Sequence, residues 1–136
     1  MTISNPTPRF LASIFKRRGF VDEHVRLFDE DNGDNISTFG IELIQDEEPV
    51  ISVLPSPHNE ISWLTTKRFV WGDATCQNQF ALSDMKDISL KLVKDKPDIH
   101  SLSIGVDLID GRSYEIFMPD TAVLNGFLAI FARFVK

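Results

Sequence analysis

The chain has 136 residues, of which 43% are hydrophobic and 25% charged, with a formal net charge of −6. This length favours one domain with a substantial core, and no apolar run approaches the roughly 18–20 residues that span a bilayer. The single cysteine, Cys76, excludes an intrachain disulfide. The N-terminal residues lack the basic-then-apolar order of a secretory signal, so a cytoplasmic location is expected.

The charges are divided unevenly along the chain. Residues 1–21 hold four basic side chains and no acidic one, residues 22–60 hold eleven acidic and one basic, and residues 61–136 hold nine of each sign. Neutralisation of phosphates supplies most non-specific affinity for nucleic acids. A chain with a neutral C-terminal part and an acidic middle is therefore not expected to bind nucleic acid.

Residues 9–18 predict a short amphipathic helix, because Phe10, Leu11, Ile14 and Phe15 recur at helical spacing between basic residues. In one interpretation the apolar stripe docks on the rest of the protein. In the other, the helix lies on a membrane surface, where its bases attract anionic lipids. Ten residues is short for stable anchoring, which favours docking.

Residues 22–28 are predicted to form a second short helix, and the acidic stretch DEDNGDNIS follows it. Asp29, Asp31 and Asp34 in this stretch resemble the start of an EF-hand calcium loop. Asp34 occupies the position of the loop's turn glycine, and Gly40 replaces its bidentate glutamate. An Asx-rich connector is the favoured interpretation, and a calcium site is the alternative.

From Pro49 onward the sequence indicates short strands joined by short turns. The run of residues 61–73 predicts a hairpin with Thr66 and Lys67 at its tip and a four-residue connection, and Asp110-Gly111 predicts a type I′ turn. No stretch leaves room for a crossover helix, so the sheet is expected to be antiparallel. The predicted strands are residues 50–54, 61–64, 69–71, 80–82, 88–93, 102–109 and 114–118.

The C-terminal residues predict a helix of about four turns, with Asp120 as its N-cap. Its wide apolar stripe is expected to belong to the core and to close the open end of the sheet. The stripe consists of Val123, Leu124, Phe127, Leu128, Phe131, Phe134 and Val135.

Seven antiparallel strands followed by a helix resemble the pleckstrin-homology-like (PH-like) architecture. The sequence LTTKRFVW at residues 64–71 resembles the LTxxR hairpin of bacterial PH-like domains, and DEEPVI at residues 46–51 resembles their acidic lead-in to the first strand. The resemblance covers residues 46–136. It implies a mainly β (α+β) fold, a seven-stranded antiparallel half-open barrel capped by a C-terminal helix, with residues 1–45 as a helical and acidic extension.

The resemblance further implies a non-catalytic interaction module that binds a protein or peptide partner or associates with itself. Eukaryotic relatives bind lipid headgroups through basic residues of the first hairpin loop, and residues 56–60 contain none here. Lys67 and Arg68 are the candidate anion contacts that remain. The alternatives are a peripheral membrane protein acting through residues 9–18 and a calcium-modulated module.

No motif indicates catalysis or a cofactor. His24, His58 and His100 are scattered without metal-ligand spacing, and Cys76 has no neighbouring base that would lower its pKa. The sequence contains no P-loop, dinucleotide fingerprint or GxSxG motif. Neither an enzyme nor a resident metal or cofactor is expected.

Overall fold

The computed structural model describes residues 7–18, 25–28, 41–53, 61–73, 76–96, 99–118 and 121–135, with the backbone alone for Arg18 and residues 91–96 and 99–102. In these residues two helices, α1 (Pro8–Arg18) and α2 (Thr121–Phe131), pack against each other beside two antiparallel sheets. The fold is therefore α+β.

Each sheet follows chain order, so every pairing joins consecutive strands. The first sheet contains β1 (Val25–Leu27), β2 (Pro49–Val53), β3 (Ile61–Thr65), β4 (Arg68–Gly72) and β5 (Gln77–Ala81). A 3-10 turn at Leu82–Asp84 leads into the second sheet. That sheet contains β6 (Met85–Lys96), β7 (Ile99–Leu108) and β8 (Ser113–Phe117).

The predicted helix at residues 22–28 is wrong where the structure describes it. Residues 25–27 form β1, in which Val25 pairs with Val53 and Leu27 with Ile51. Val25 and Leu27 are buried while Arg26 between them is exposed, which is the two-residue alternation of a strand. The described residues consequently hold eight strands rather than seven.

The strand predicted at residues 80–82 begins earlier, at Gln77. Asn78 and Gln79 pair with Trp71 and Val70 of β4 although the three polar side chains of residues 77–79 are exposed. Backbone pairing to a neighbouring strand thus decides the conformation of residues that have low strand propensity.

Both predicted hairpins are confirmed, and the turn of the second differs in detail. In the first hairpin Leu64 pairs with Phe69, so the predicted four-residue connection at residues 65–68 is confirmed. Thr65 and Arg68 belong to β3 and β4 because they pair with β2 and β5. At the second hairpin Gly111 has a φ of 94°, and its N–H donates to the Leu108 carbonyl at 3.1 Å. This is a three-residue loop with glycine in the last position rather than a type I′ turn.

The main core brings aromatic rings from distant parts of the chain together. The ring of Phe69 on β4 lies 5.5 Å from that of Phe127 and 5.2 Å from that of Phe131, centroid to centroid. The ring of Phe15 on α1 lies 5.4 Å from that of Phe127. All four side chains are fully buried. Leu11, Ile14 and Phe15 of the apolar stripe of α1 are therefore docked in the core, whereas Phe10 is 40% exposed.

The C-terminal helix is confirmed but shorter than predicted. It ends at Phe131 after about three turns, and Phe134 remains buried in the turn that follows. The helix packs on α1 and on β6 and β7. Gly126 permits close contact with α1, because a Cβ at this position would overlap the ring of Phe15. The predicted N-cap, Asp120, lies outside the described residues.

The described strands form two separate sheets of five and three strands, and no closed barrel is found among them. Within the same residues, neither helix is long and apolar enough to cross a membrane.

Candidate functional site

A groove of about 680 Å³ opens between the two helices. Its lining comes from the C-terminal halves of both helices and from the turn after α2. The lining residues are Ile14, Arg17, Leu128, Ala129, Ala132 and Arg133.

The floor of the groove is apolar. Ile14 is buried, Leu128 and Ala129 are half-buried, and Ala132 is exposed. Residues 128, 129 and 132 recur at helical spacing beside the buried stripe of α2, so they lie along one flank of it. The small side chains of Ala129 and Ala132 leave the space that forms the concavity.

Two cations line this apolar floor. Arg17 and Arg133 are both exposed, and Arg17 Nε donates a long hydrogen bond of 3.4 Å to the Ser13 carbonyl of its own helix. Arg17 lies in the last turn of α1 and Arg133 lies just beyond α2, where the helix dipole favours positive charge. Within the described ranges no carboxylate is at ion-pair distance from either guanidinium.

A second feature lies on the outer face of the first sheet, where residues 41–48 form what we call the strap. Ile41 and Leu43 of the strap pack against Phe28, Trp63 and Val70. Trp63 and Val70 are paired neighbours on β3 and β4. The strap thus covers a small apolar cluster separate from the main core.

A tight turn places Glu47 at the end of the strap. The Glu47 N–H donates to the Ile44 carbonyl at 3.2 Å, and Asp46 has a φ of 63°. Aspartate is one of the few non-glycine residues that adopt this left-handed conformation readily. The Glu47 side chain is fully buried.

Every oxygen of the Glu47 carboxylate has donors. Oε2 accepts from Arg68 Nε at 2.8 Å and from the Thr65 hydroxyl at 2.7 Å. Oε1 accepts from Arg68 Nη2 at 3.1 Å and from the Ile44 N–H at 3.0 Å. The pair with Arg68 is therefore bidentate, the strongest geometry for an arginine and a carboxylate.

The same guanidinium joins two further segments to the pair. Arg68 Nη1 donates to Gln79 Oε1 on β5 at 2.7 Å, and Nη2 donates to the Glu42 carbonyl of the strap at 2.6 Å. The Arg68 side chain is 16% exposed. Arg68 therefore holds the strap to β4 and β5.

The pKa of Glu47 reflects two opposing effects. Burial raises the pKa, but hydrogen bonds from Arg68, Thr65 and the Ile44 N–H and the charge of Arg68 outweigh burial, so the pKa lies below its ordinary value. Glu47 is therefore ionised at neutral pH. Its role in this geometry is structural rather than that of a proton donor.

The two candidate anion contacts, Lys67 and Arg68, have different surroundings in the structure. Arg68 donates to protein acceptors, whereas Lys67 is exposed at the hairpin tip. The candidate calcium ligands Asp29, Asp31 and Asp34 lie outside the described residues. Among the described residues no cluster of three or more histidine, cysteine, aspartate or glutamate side chains could hold a metal ion.

Sequence reasoning missed the groove. In the sequence, Arg17 is one of the basic residues at the end of the predicted first helix, and no sequence pattern marks Arg133 as a functional residue. The sequence does contain one signal that could have indicated a groove. Two small residues, Ala129 and Ala132, lie beside the apolar stripe of the C-terminal helix, whose side chains are large. The position of Arg17 opposite that flank could not be inferred, since it depends on how the helices cross.

No family model matches the sequence, and searches of curated proteins and of solved structures find no match. The chemistry of the groove is therefore inferred from its own residues.

Proposed function

We propose that the protein is a non-catalytic interaction module of PH-like architecture that binds a partner segment in the groove between α1 and α2. One observation carries this proposal: Leu128, Ala129 and Ala132 offer apolar surface in a concave space between two exposed cations. Its volume of about 680 Å³ is that of a small-molecule site, roughly 300–1,000 Å³, so it has room for a few side chains of a partner segment.

The strand order supports the PH-like part of the proposal. From β2 to β8 the chain forms seven antiparallel strands, and α2 follows them, as the resemblance implies. In this interpretation α1 and β1 are additions to the architecture. The groove exists only because α1 packs beside the C-terminal helix.

The ionisation and hydrogen bonding of Glu47 support the proposal that the module is non-catalytic. Among the described residues Glu47 is the buried carboxylate, and four donors surround it. An ionised carboxylate with all its oxygens occupied is poorly suited to accept a proton at neutral pH.

The membrane alternative is disfavoured by the packing of α1. Leu11, Ala12 and Phe15 are fully buried in the core, so the apolar face that would enter a lipid surface is occupied. The calcium alternative depends on Asp29, Asp31 and Asp34, and a calorimetric titration with calcium that gives no heat would remove it.

The groove can be tested by site-specific photo-crosslinking in the native cells. A photoreactive residue at Ala132, in the groove, is expected to form a defined adduct, and mass spectrometry identifies the partner as another protein or a second copy. The matched control is Asn125, which is exposed on α2 but does not line the groove. Equal adducts from both positions, or none from Ala132, would contradict the proposal.

A charge introduced into the floor supplies the second test. Leu128→Asp is expected to abolish the adduct from Ala132, because an ionised carboxylate replaces half-buried apolar surface. Circular dichroism establishes that the variant is folded. Asn125→Asp is the control, and its adduct yield from Ala132 should equal that of the unmodified chain.

A further inference from the structure

We propose that the occupant of the groove is an acidic amphipathic helix of another protein, whose apolar side chains enter the groove while its carboxylates pair with Arg17 and Arg133. This inference rests on the proposed function and specifies the partner that the groove accepts. It follows from the length, backbone chemistry and charge of the groove.

The length of the groove matches a short helical contact. From Leu128 to Ala132, whose N–H donates to the Leu128 carbonyl at 3.0 Å, the chain advances by about 6 Å at the standard rise of 1.5 Å per residue. Two side chains at positions i and i+4 of a partner helix are roughly 6 Å apart. The groove therefore accepts two apolar side chains that lie one turn apart on such a helix.

The backbone of the groove favours a helical over an extended partner. On the α2 side, the carbonyls of Leu128, Ile130 and Phe131 accept from N–H groups of the turn that follows. The N–H groups of both helices beyond the first turn are bonded within each helix. An extended peptide would find few backbone partners there and would leave its own amides unpaired. A helical partner already satisfies its backbone hydrogen bonds within the helix, as in known helix-in-groove complexes.

The charge of the groove favours carboxylates in the partner. Arg17 and Arg133 are exposed, and no described carboxylate neutralises them. The chain as a whole carries −6, but at physiological salt the screening length is about 8 Å, so distant charges act weakly on the groove. Each arginine carries a full charge beside the roughly −0.5 charge of a helix C-terminus, so the groove stays net positive.

A second copy and a lipid surface fit the groove less well. A two-fold dimer through the groove would place the same patch on both sides, so a patch with two cations would face an identical patch. A bilayer is flat or convex at this scale, whereas the apolar floor is concave, and Leu11, Ile14 and Phe15 of α1 are buried. An acidic helix satisfies both the shape and the charge.

The test uses two synthetic helical peptides and fluorescence anisotropy with the full chain. One peptide has leucines at i, i+4 spacing with glutamates around them, and the other has lysine in place of every glutamate. The acidic peptide is expected to bind with micromolar affinity and the basic peptide at least about tenfold more weakly. The double variant Arg17→Glu, Arg133→Glu is expected to reverse this preference.

The controls separate this inference from the proposed function. Lys86→Glu reverses one exposed charge on β6, outside the groove, and should leave peptide binding unchanged. Equal binding of both peptides, or an unchanged preference in the double variant, would overturn the inference. If neither peptide binds but Ala132 still forms an adduct, the partner class is wrong and the groove function stands.

A vesicle arm tests the competing occupant. Vesicles of phosphatidylcholine with phosphatidylserine are sedimented with the chain and with the double variant. No sedimentation is expected from either protein. Vesicle binding that the double variant abolishes, without binding of the acidic peptide, would overturn the inference in favour of an anionic membrane surface.

Discussion

At the residue scale, the hydroxyl of Thr65 links the hairpin turn to the strap. Its Oγ accepts from the N–H groups of Lys67 at 3.1 Å and Arg68 at 2.9 Å, and it contacts Glu47 Oε2 at 2.7 Å. A threonine side chain thus organises the hairpin turn, which lacks a glycine. This turn positions the guanidinium of Arg68 at the Glu47 carboxylate.

The ion pair predicts a large stability effect. Glu47→Ala is expected to lower the free energy of unfolding by about 2–4 kcal/mol, because Arg68 would keep a largely buried charge without its partner. Urea denaturation followed by circular dichroism measures the change. The matched control is Arg112→Ala, which removes an ion pair to Asp110 in which each side chain is about half exposed and keeps the backbone N–H that Asp110 accepts. That variant should hardly move the urea midpoint, and equal effects of the two would contradict the structural role of Glu47.

Glu47 also predicts how stability depends on pH. Its pKa in the folded state lies below the value of 4.5 expected for an unperturbed glutamate, so the unfolded chain takes up the proton first. The stabilisation is fully present above the unfolded pKa and is lost as the pH falls through the lower folded pKa. Urea midpoints between about pH 7 and about pH 3 should fall less steeply for Glu47→Gln than for the unmodified chain. Parallel curves would refute this assignment.

At the element scale, the contact between α1 and α2 depends on a glycine inside a helix. Glycine costs helix stability relative to alanine, yet Gly126 lies in the middle of α2 and is buried. The reason is space, since the ring of Phe15 occupies the position that a Cβ would take. Packing between elements therefore outweighs local propensity here.

Gly126→Ala tests that balance. Helix propensity alone predicts a gain of about 1 kcal/mol, whereas overlap with Phe15 is expected to give a net loss of about 1–3 kcal/mol. Thermal or urea unfolding measures the sign. Asn125→Ala, at the exposed neighbouring position, should be neutral or slightly stabilising. Phe15→Leu should reduce the loss caused by Gly126→Ala, and a stabilising Gly126→Ala would disprove the close contact.

At the scale of the whole molecule, residues on both sides of position 45 build the main core. Phe15 of α1 and Leu27 of β1 belong to the same buried cluster as Phe69 and Phe127. The division of the chain into residues 1–45 and 46–136 stays a prediction. A shared core favours a single cooperative unit.

Coincident unfolding transitions are therefore expected. Trp71 is in the main core, and Trp63 is in the small cluster under the strap, so Trp63→Phe and Trp71→Phe each leave one local reporter. In each variant, tryptophan fluorescence and far-ultraviolet circular dichroism should give the same urea midpoint. Loss of helical signal before the tryptophan transition would instead support residues 1–45 as a separate unit.

The sequence by itself determined the features that depend on chain neighbours. Clustered apolar residues around Thr66-Lys67 predicted the first hairpin, Asp110-Gly111 predicted the second, and apolar periodicity predicted both helices. Local propensity and turn chemistry act over a few residues, so a single sequence displays them.

The tertiary structure alone decided the features that join distant residues. Residues 25–27 form a strand because they pair with β2. Residues 77–79 form a strand because they pair with β4. The partner of Glu47 is 21 residues away, and the groove joins Arg17 to Arg133. These outcomes depend on how the elements pack, and no local pattern of side chains contains that geometry.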